Sequence, residues 1–378
     1  MKKRKIEFYR HNLNEDDKKE CLKVLNSIFL TTGKTVGEFE KYFAEYLKAK
    51  YAVGVDSCTD ALFLSLKYLG IKKGDEIITT PLSFISTSNA ILYCDATPVF
   101  VDVESSTGNI DANLIEKAIT PHTKAIIPVH LYGQMCDMKK IREIADKYDL
   151  KIIEDAAHCI EGERDGIRVG ELSEFACFSF YAIKTITSGE GGAITTNDFN
   201  AYDWLKKARL HGMNKNAVDR YVGHYQPYDM EFLGYKANMT NIDASLLIHQ
   251  LERIEKLRLK REKIAKLYDK GFAKNSFIKI PKVMPGSKHG RFIYTIWVNP
   301  KKRDLYIRRI EEKGIAVAVH LKPIHFMTYY KERFGYKPKD FPKAEQIGNS
   351  TISLPFYPLL KLDETSYIID SINKIVTE

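Results

Sequence analysis

The sequence predicts an α/β protein, with a large domain on a mostly parallel seven-stranded sheet and a small C-terminal α+β domain. Three observations carry this. Seven short apolar runs alternate with amphipathic helical patterns, the rhythm of parallel strands covered by helices on both faces. The chain has 378 residues, more than one ordinary core supports. Beyond residue 250 the texture changes to a long helix and then strand, helix, strand and helix in a short span. The large domain, with its N-terminal helices, is therefore expected over 1–250 and the small one over 251–378.

Taken in order, two amphipathic helices are expected at 16–29 and 37–48, joined by Leu30-Thr31-Thr32-Gly33-Lys34. Strands are expected at 51–55, 76–79, 98–103, 125–129, 151–154, 175–180 and 193–196, where β-branched and aromatic residues cluster between turn residues. Helical spacing falls between them at 60–68, 83–93, 112–119 and 138–148. Further on, one helix is expected over 244–272, strands at 292–298 and 315–319, and helices at 303–313 and 364–376.

Composition narrows the function classes. Hydrophobic content of 44% and charged content of 28% are those of a globular protein, and no apolar run is long enough to span a bilayer. The opening Met1-Lys2-Lys3-Arg4-Lys5 is basic but leads into Tyr9-Arg10-His11-Asn12 rather than an apolar signal region, so the cytoplasm is expected. Six scattered cysteines without a C-x-x-C pair favour reduced, partly buried thiols over disulfides or a metal site. The net charge of +9 suits either nucleic acid or a small anionic substrate. Lysines lie spread along the chain beside glutamates, as at 139–147 and 252–263, which argues against a nucleic-acid stripe and stays compatible with a diphosphate-bearing substrate.

The chemistry gathers at two strand ends. Lys184 follows the apolar run Phe178-Ser179-Phe180 and precedes Ser188-Gly189-Glu190-Gly191-Gly192, a context that suits a Schiff-base amine. Asp155, in Glu154-Asp155-Ala156-Ala157-His158, ends an earlier strand and suits the acid that keeps a pyridine nitrogen protonated. Pyridoxal phosphate chemistry requires both groups. The run Val55-Asp56-Ser57-Cys58-Thr59-Asp60 opens a helix, where free amides bind anions or a hydroxyl simply caps the helix. Neither G-x-x-x-x-G-K-[ST] nor a G-x-G-x-x-G after the first strand is present, which weakens nucleotide-triphosphate and dinucleotide readings.

Thr31-Thr32-Gly33, Ser57-Cys58-Thr59-Asp60-Ala61-Leu62, Thr80-Pro81-Leu82-Ser83-Phe84, Pro98-Val99-Phe100-Val101-Asp102-Val103, Pro128-Val129-His130-Leu131-Tyr132-Gly133-Gln134, the Glu154 and Ser179 runs, Gly234-Tyr235-Lys236-Ala237-Asn238-Met239-Thr240 and Val319-His320-Leu321-Lys322-Pro323 appear in that order. Together they resemble the DegT/DnrJ/EryC1/StrS family of nucleotide-sugar aminotransferases over nearly the whole chain. The resemblance implies fold-type I, the aspartate aminotransferase fold, with pyridoxal 5′-phosphate as cofactor and a homodimer with shared active sites. It implies that Lys184 is the Schiff-base lysine and proton carrier, and that Asp155 partners the ring nitrogen. His158 would contact the ring's oxygen side and Phe84 would stack on the ring. Thr59, Asp60, Ser179 and the second subunit's Asn238 would hold the phosphate, unless Asn238 merely caps the helix after it. Thr32, Lys236 and His320 resemble residues that line the sugar-nucleotide pocket.

The implied reaction moves an amino group from glutamate to a keto group of a nucleotide-linked deoxy sugar, for surface glycan or amino-sugar biosynthesis such as lipopolysaccharide. The run from Phe180 to Thr187 is similar to relatives that aminate C4, so C4 of a UDP-linked sugar is favoured and C3 kept open. Two departures stand out. Cys58 occupies a position where many relatives carry glycine or alanine, and Phe292 stands where many carry a second histidine after the one matching His289. A family dehydratase, with histidine for the lysine, and a non-catalytic regulatory protein of the same fold are the rival readings. Lys184 itself argues against the first, and the intact lysine–aspartate pair against the second.

Overall fold

The computed structural model describes residues 5–215 and 227–378; the basic run Met1 to Arg4 lies outside them. Its central sheet has seven strands: β1 (Tyr51–Val55), β2 (Glu76–Thr79), β3 (Thr97–Phe100), β4 (Thr123–Ile126), β5 (Lys151–Asp155), β8 (Phe175–Ser179) and β9 (Gly192–Thr196), in the order β1-β9-β8-β5-β4-β2-β3. A small hairpin, β6 (Glu163–Arg164) and β7 (Ile167–Arg168), lies between β5 and β8. The run β8-β5-β4-β2-β3 is parallel, and β9 is antiparallel to both its neighbours.

Both faces of the sheet are covered, which is why its strands read as continuous apolar runs. Side chains alternate across β8. Phe178 and Phe180 meet Phe43 of helix Lys34–Leu47 in edge-on contacts at 5.0 and 5.5 Å, while Phe175 and Cys177 pack with Leu62 and Leu66 of helix Cys58–Tyr68. The carboxyl ends of β1, β2, β5 and β8 share one edge, where open α/β sheets hold ligands. Because β9 runs the other way, its first residue, Gly192, lies at that edge too. A Cβ on Gly192 would come within 2.5 Å of the Ser57 carbonyl carbon, so only glycine lets the strand start so close to the helix.

The second region departs from the sequence expectation in its long helix and in its strand pairing. The long helix expected at 244–272 is two, Asn241–Glu252 and Ile254–Phe272. The break falls at Arg253, whose guanidinium donates to Asp17 at 2.9 Å and to the Asn12 carbonyl at 3.0 Å. The strand expected at 315–319 forms only single bridges, Ile315 to Ile6 and Ala318 to Ser353. Instead Thr351–Leu354 pairs antiparallel with Tyr294–Trp297, and Ile6 joins the core of this region with Tyr268, Phe272, Ile310 and Ile372. These partners lie far apart in sequence, so local pattern carries no sign of them. Among the described residues no helix is long and apolar enough to cross a membrane.

Candidate active site

Asp155 closes β5 and is 4% exposed. Alternation turns its neighbour Glu154 to the other face, where Oε2 meets His130 Nε2 at 2.6 Å. The hydroxyl of Thr87 donates to Asp155 Oδ2 at 2.7 Å, and the Ala157 amide donates to Oδ1 at 3.2 Å. Ser83 Oγ lies 2.7 Å from Thr87 Oγ1. Thr87 has one hydrogen and gives it to Asp155, so Ser83 donates to Thr87. Burial raises the Asp155 pKa, opposed first by these hydrogen bonds and then by Lys184 and His130. The result is a buried acid with acceptor capacity to spare for a cationic N–H.

Removing the Thr87 hydroxyl strips a donor that favours the charged form of the acid. Thr87→Val is expected to lower kcat about tenfold, the worth of a hydrogen bond to a charged group. With its lowering influence gone, the acid limb of the kcat/KM profile should move to higher pH. An unchanged profile would show that the hydroxyl serves packing alone.

Lys184 lies in the turn after β8. The turn is fixed by the Lys184 amide on the Tyr181 carbonyl at 2.9 Å, the Phe180 amide on the Gly191 carbonyl at 2.8 Å and the Thr187 hydroxyl on the Phe180 carbonyl at 2.9 Å. Burial lowers Lys184 to about 8, against the opposite pull of Cys58 and Asp155. Its Nζ lies 4.4 Å from the centroid of the Phe292 ring. The same ring stacks on His158, with centroids 4.3 Å apart.

His158 accepts the Tyr132 amide at Nδ1 (3.4 Å), which leaves the proton of the neutral ring on Nε2. Burial, then Lys184 and His320, hold its pKa well below the usual range. His320 is lowered to about 4 by burial and then by Lys184. Its Nδ1 lies 3.0 Å from the Ser353 hydroxyl, its ring stacks on Phe8, and its carbonyl accepts the Tyr132 hydroxyl at 2.9 Å. Tyr132 (φ 62) therefore holds His158 by its amide and His320 by its hydroxyl, and accepts the Phe292 amide at 3.2 Å through its carbonyl.

At the start of helix Cys58–Tyr68, Ser57 is a true cap. It accepts the Asp60 amide at 3.1 Å and donates to the Asp60 carboxylate at 2.5 Å. Of the two amides expected to hold a phosphate, that of Asp60 is thus already engaged. Thr59 and Cys58 contribute the other amides of this helix start. Ser179 is buried at the end of β8, its hydroxyl accepting the Tyr181 amide at 3.3 Å. Phe84 precedes helix Ile85–Tyr93 with 59% of its surface exposed, open to a flat partner.

Thr32, Lys236 and Asn238 form a separate group. Asn238 donates to Thr32 Oγ1 at 2.8 Å and to Thr31 Oγ1 at 3.3 Å, and it accepts the Lys236 ammonium. The capping alternative for Asn238 fails, because Thr240 caps helix Asn241–Glu252 through a reciprocal box with Asp243. Among the described residues none of the three hydrogen-bonds to Lys184, Asp155 or His158. Sequence reasoning had missed Thr87 and the hub role of Tyr132. It had noted Phe292 only as a departure in the substrate region, whereas the ring lies against Lys184.

The sequence profile of the DegT/DnrJ/EryC1/StrS aminotransferase family matches residues 11–373. The spore coat polysaccharide biosynthesis protein SpsC of Bacillus subtilis is 40% identical over 96% of this chain and 95% of its own. GDP-perosamine synthase of Caulobacter vibrioides is 34% identical over 96% of each. Among solved structures, the putative sugar aminotransferase Spr1654 of Streptococcus pneumoniae superposes in its PMP-form with a TM-score of 0.93, at 31% identity over 98% of this chain and 99% of that one. Its PLP-form superposes with a TM-score of 0.92.

Proposed function

Since the chain belongs to the DegT/DnrJ/EryC1/StrS aminotransferase family, we propose that it is a pyridoxal-phosphate-dependent sugar aminotransferase whose reactive centre is Lys184 with Asp155. The observation that carries this is the meeting of a lysine lowered to about 8 and a buried acid at adjoining strand ends. The donor set fits the cofactor: an amine, an acid with spare acceptor capacity, amides at a helix N-terminus and an exposed aromatic face. When bound, pyridoxal phosphate accepts an amino group at its aldehyde and passes it on, its ring drawing electrons from the reacting carbon.

The chain's own groups do the rest. Near neutrality Lys184 keeps a useful fraction of free amine, so Nζ can bond to an aldehyde and carry a proton to and from the substrate carbon. Asp155 would accept the ring N–H and favour the charged ring. Neutral His158 offers its Nε2 proton. The Cys58 and Thr59 amides with the Ser179 hydroxyl would take the phosphate.

Glutamate is the proposed donor and a nucleotide-linked keto-deoxy sugar the acceptor, aminated at C4 on a UDP-sugar, with a C3 product as the alternative outcome. The similarity to a GDP-perosamine synthase makes a GDP-sugar a necessary comparison. Incubating the protein with glutamate and a panel of UDP-, GDP- and dTDP-keto sugars, read by product mass, tests this. Amination of none of them by cofactor-loaded protein would overturn it.

The proposed assembly is a homodimer in which Asn238 serves the partner's cofactor phosphate. Supporting it, Leu22, Leu25, Ile28 and Leu30 lie exposed just before Thr32, with Ile28 90% exposed, an apolar patch of the kind that marks interfaces. Mixing Lys184→Ala chains with Asn238→Trp chains is expected to restore about a quarter of wild-type activity, since half the dimers are mixed and each has one intact site. No recovery despite demonstrated subunit exchange would rule the shared site out.

A further inference from the structure

A lysine ammonium and a buried carboxylate in one site ordinarily pair directly. Among the described residues Lys184 makes no ion pair with Asp155 or any other acid, and its Nζ sits over a ring instead. We propose that Phe292 is a positioning residue for Lys184, its ring face holding the free ε-ammonium and so keeping it off Asp155. This rests on the reading of Lys184 as the reactive amine.

The ring is held firmly enough to serve. Phe292 is 3% exposed and stacks on His158. Its amide donates to the Tyr132 carbonyl at 3.2 Å, and two residues earlier the Gly290 amide donates to the Gly133 carbonyl at 2.7 Å. Gly133 (φ +105) permits this approach, because a Cβ there would stand 2.8 Å from the Arg291 nitrogen. Arg261, fully buried on Glu161, also donates to the Gly290 carbonyl at 3.3 Å. The segment is thus clamped from both sides, and the ring face is a fixed platform.

The platform answers a specific chemical need. An ammonium taken from water keeps part of its solvation if it rests on an aromatic quadrupole. Unlike a carboxylate, a ring face holds the cation without a covalent or ionic lock, so the amine is released as soon as it loses its proton. Asp155 meanwhile remains available to a ring nitrogen.

The test replaces Phe292 by phenylalanines with one, two and three ring fluorines, which keep the shape and progressively weaken the negative face. In cofactor-free full-length protein, the pKa of Lys184 is read from the pH dependence of its acetylation by acetic anhydride, followed by mass at its own peptide. The expected result is a stepwise fall, reaching about one unit with three fluorines and so about tenfold faster labelling well below the pKa. A flat series would overturn the proposal. The readout needs no sugar or cofactor, so a failure of the aminotransferase reading would appear separately, as absent product in the sugar panel.

Discussion

Lys184→Ala is expected to lose at least about four orders of magnitude in turnover while the fold survives, because in the proposed mechanism one residue supplies both the nucleophile and the proton carrier. The turn that carries it is held by main-chain bonds and the Thr187 hydroxyl, none of which involves the lysine side chain. Thermal unfolding of the cofactor-free variant should therefore lie close to that of the wild type. Pyridoxal phosphate should still bind, weakly and without the visible absorbance of its covalent link to the protein. Amination at a near wild-type rate would remove Lys184 from the centre of the mechanism.

Asp155→Asn is expected to lower kcat by about 10²–10³-fold, the usual penalty for losing one group aimed at developing charge. An amide cannot keep the ring nitrogen protonated. Stability should move the other way. Burial raises the folded-state pKa of Asp155, so its favourable contribution exists below the unfolded pKa and is lost as pH rises through the folded value. Above that folded-state value the ionised group destabilises the cofactor-free protein, and the neutral amide relieves it. An asparagine variant as active as the wild type, or markedly less stable, would mark Asp155 as an ordinary strand-end carboxylate.

Much of the sheet was legible because β-branched runs between turn residues lie in sequence where they lie in space. The expected run at 51–55 matches β1 and that at 76–79 matches β2. Asp155 and Lys184 were legible as candidates for a similar reason, one ending its strand and the other lying in the turn after its own. What stayed hidden depends on contacts between distant segments. Thr87 reads as an ordinary helix residue until β5 brings Asp155 to its hydroxyl. Phe292 reads as the first residue of an apolar strand until the turn at Tyr132 draws it against Lys184. The break at Arg253 answers to Asp17, in a helix at the other end of the chain. The engagement of the Asp60 amide was open to a local reading, since a hydroxyl cap was one of the two readings of that helix start and Ser57 takes that donor.

Tyr132 carries a wider consequence. Its amide, carbonyl and hydroxyl each grip a different site residue, so His158, Phe292 and His320 share one rigid neighbour. Residues with a common partner do not contribute independently. Effects measured one at a time at these three positions will not sum to the effect of changing them together. Their separate contributions have meaning only in double-mutant cycles that include Tyr132.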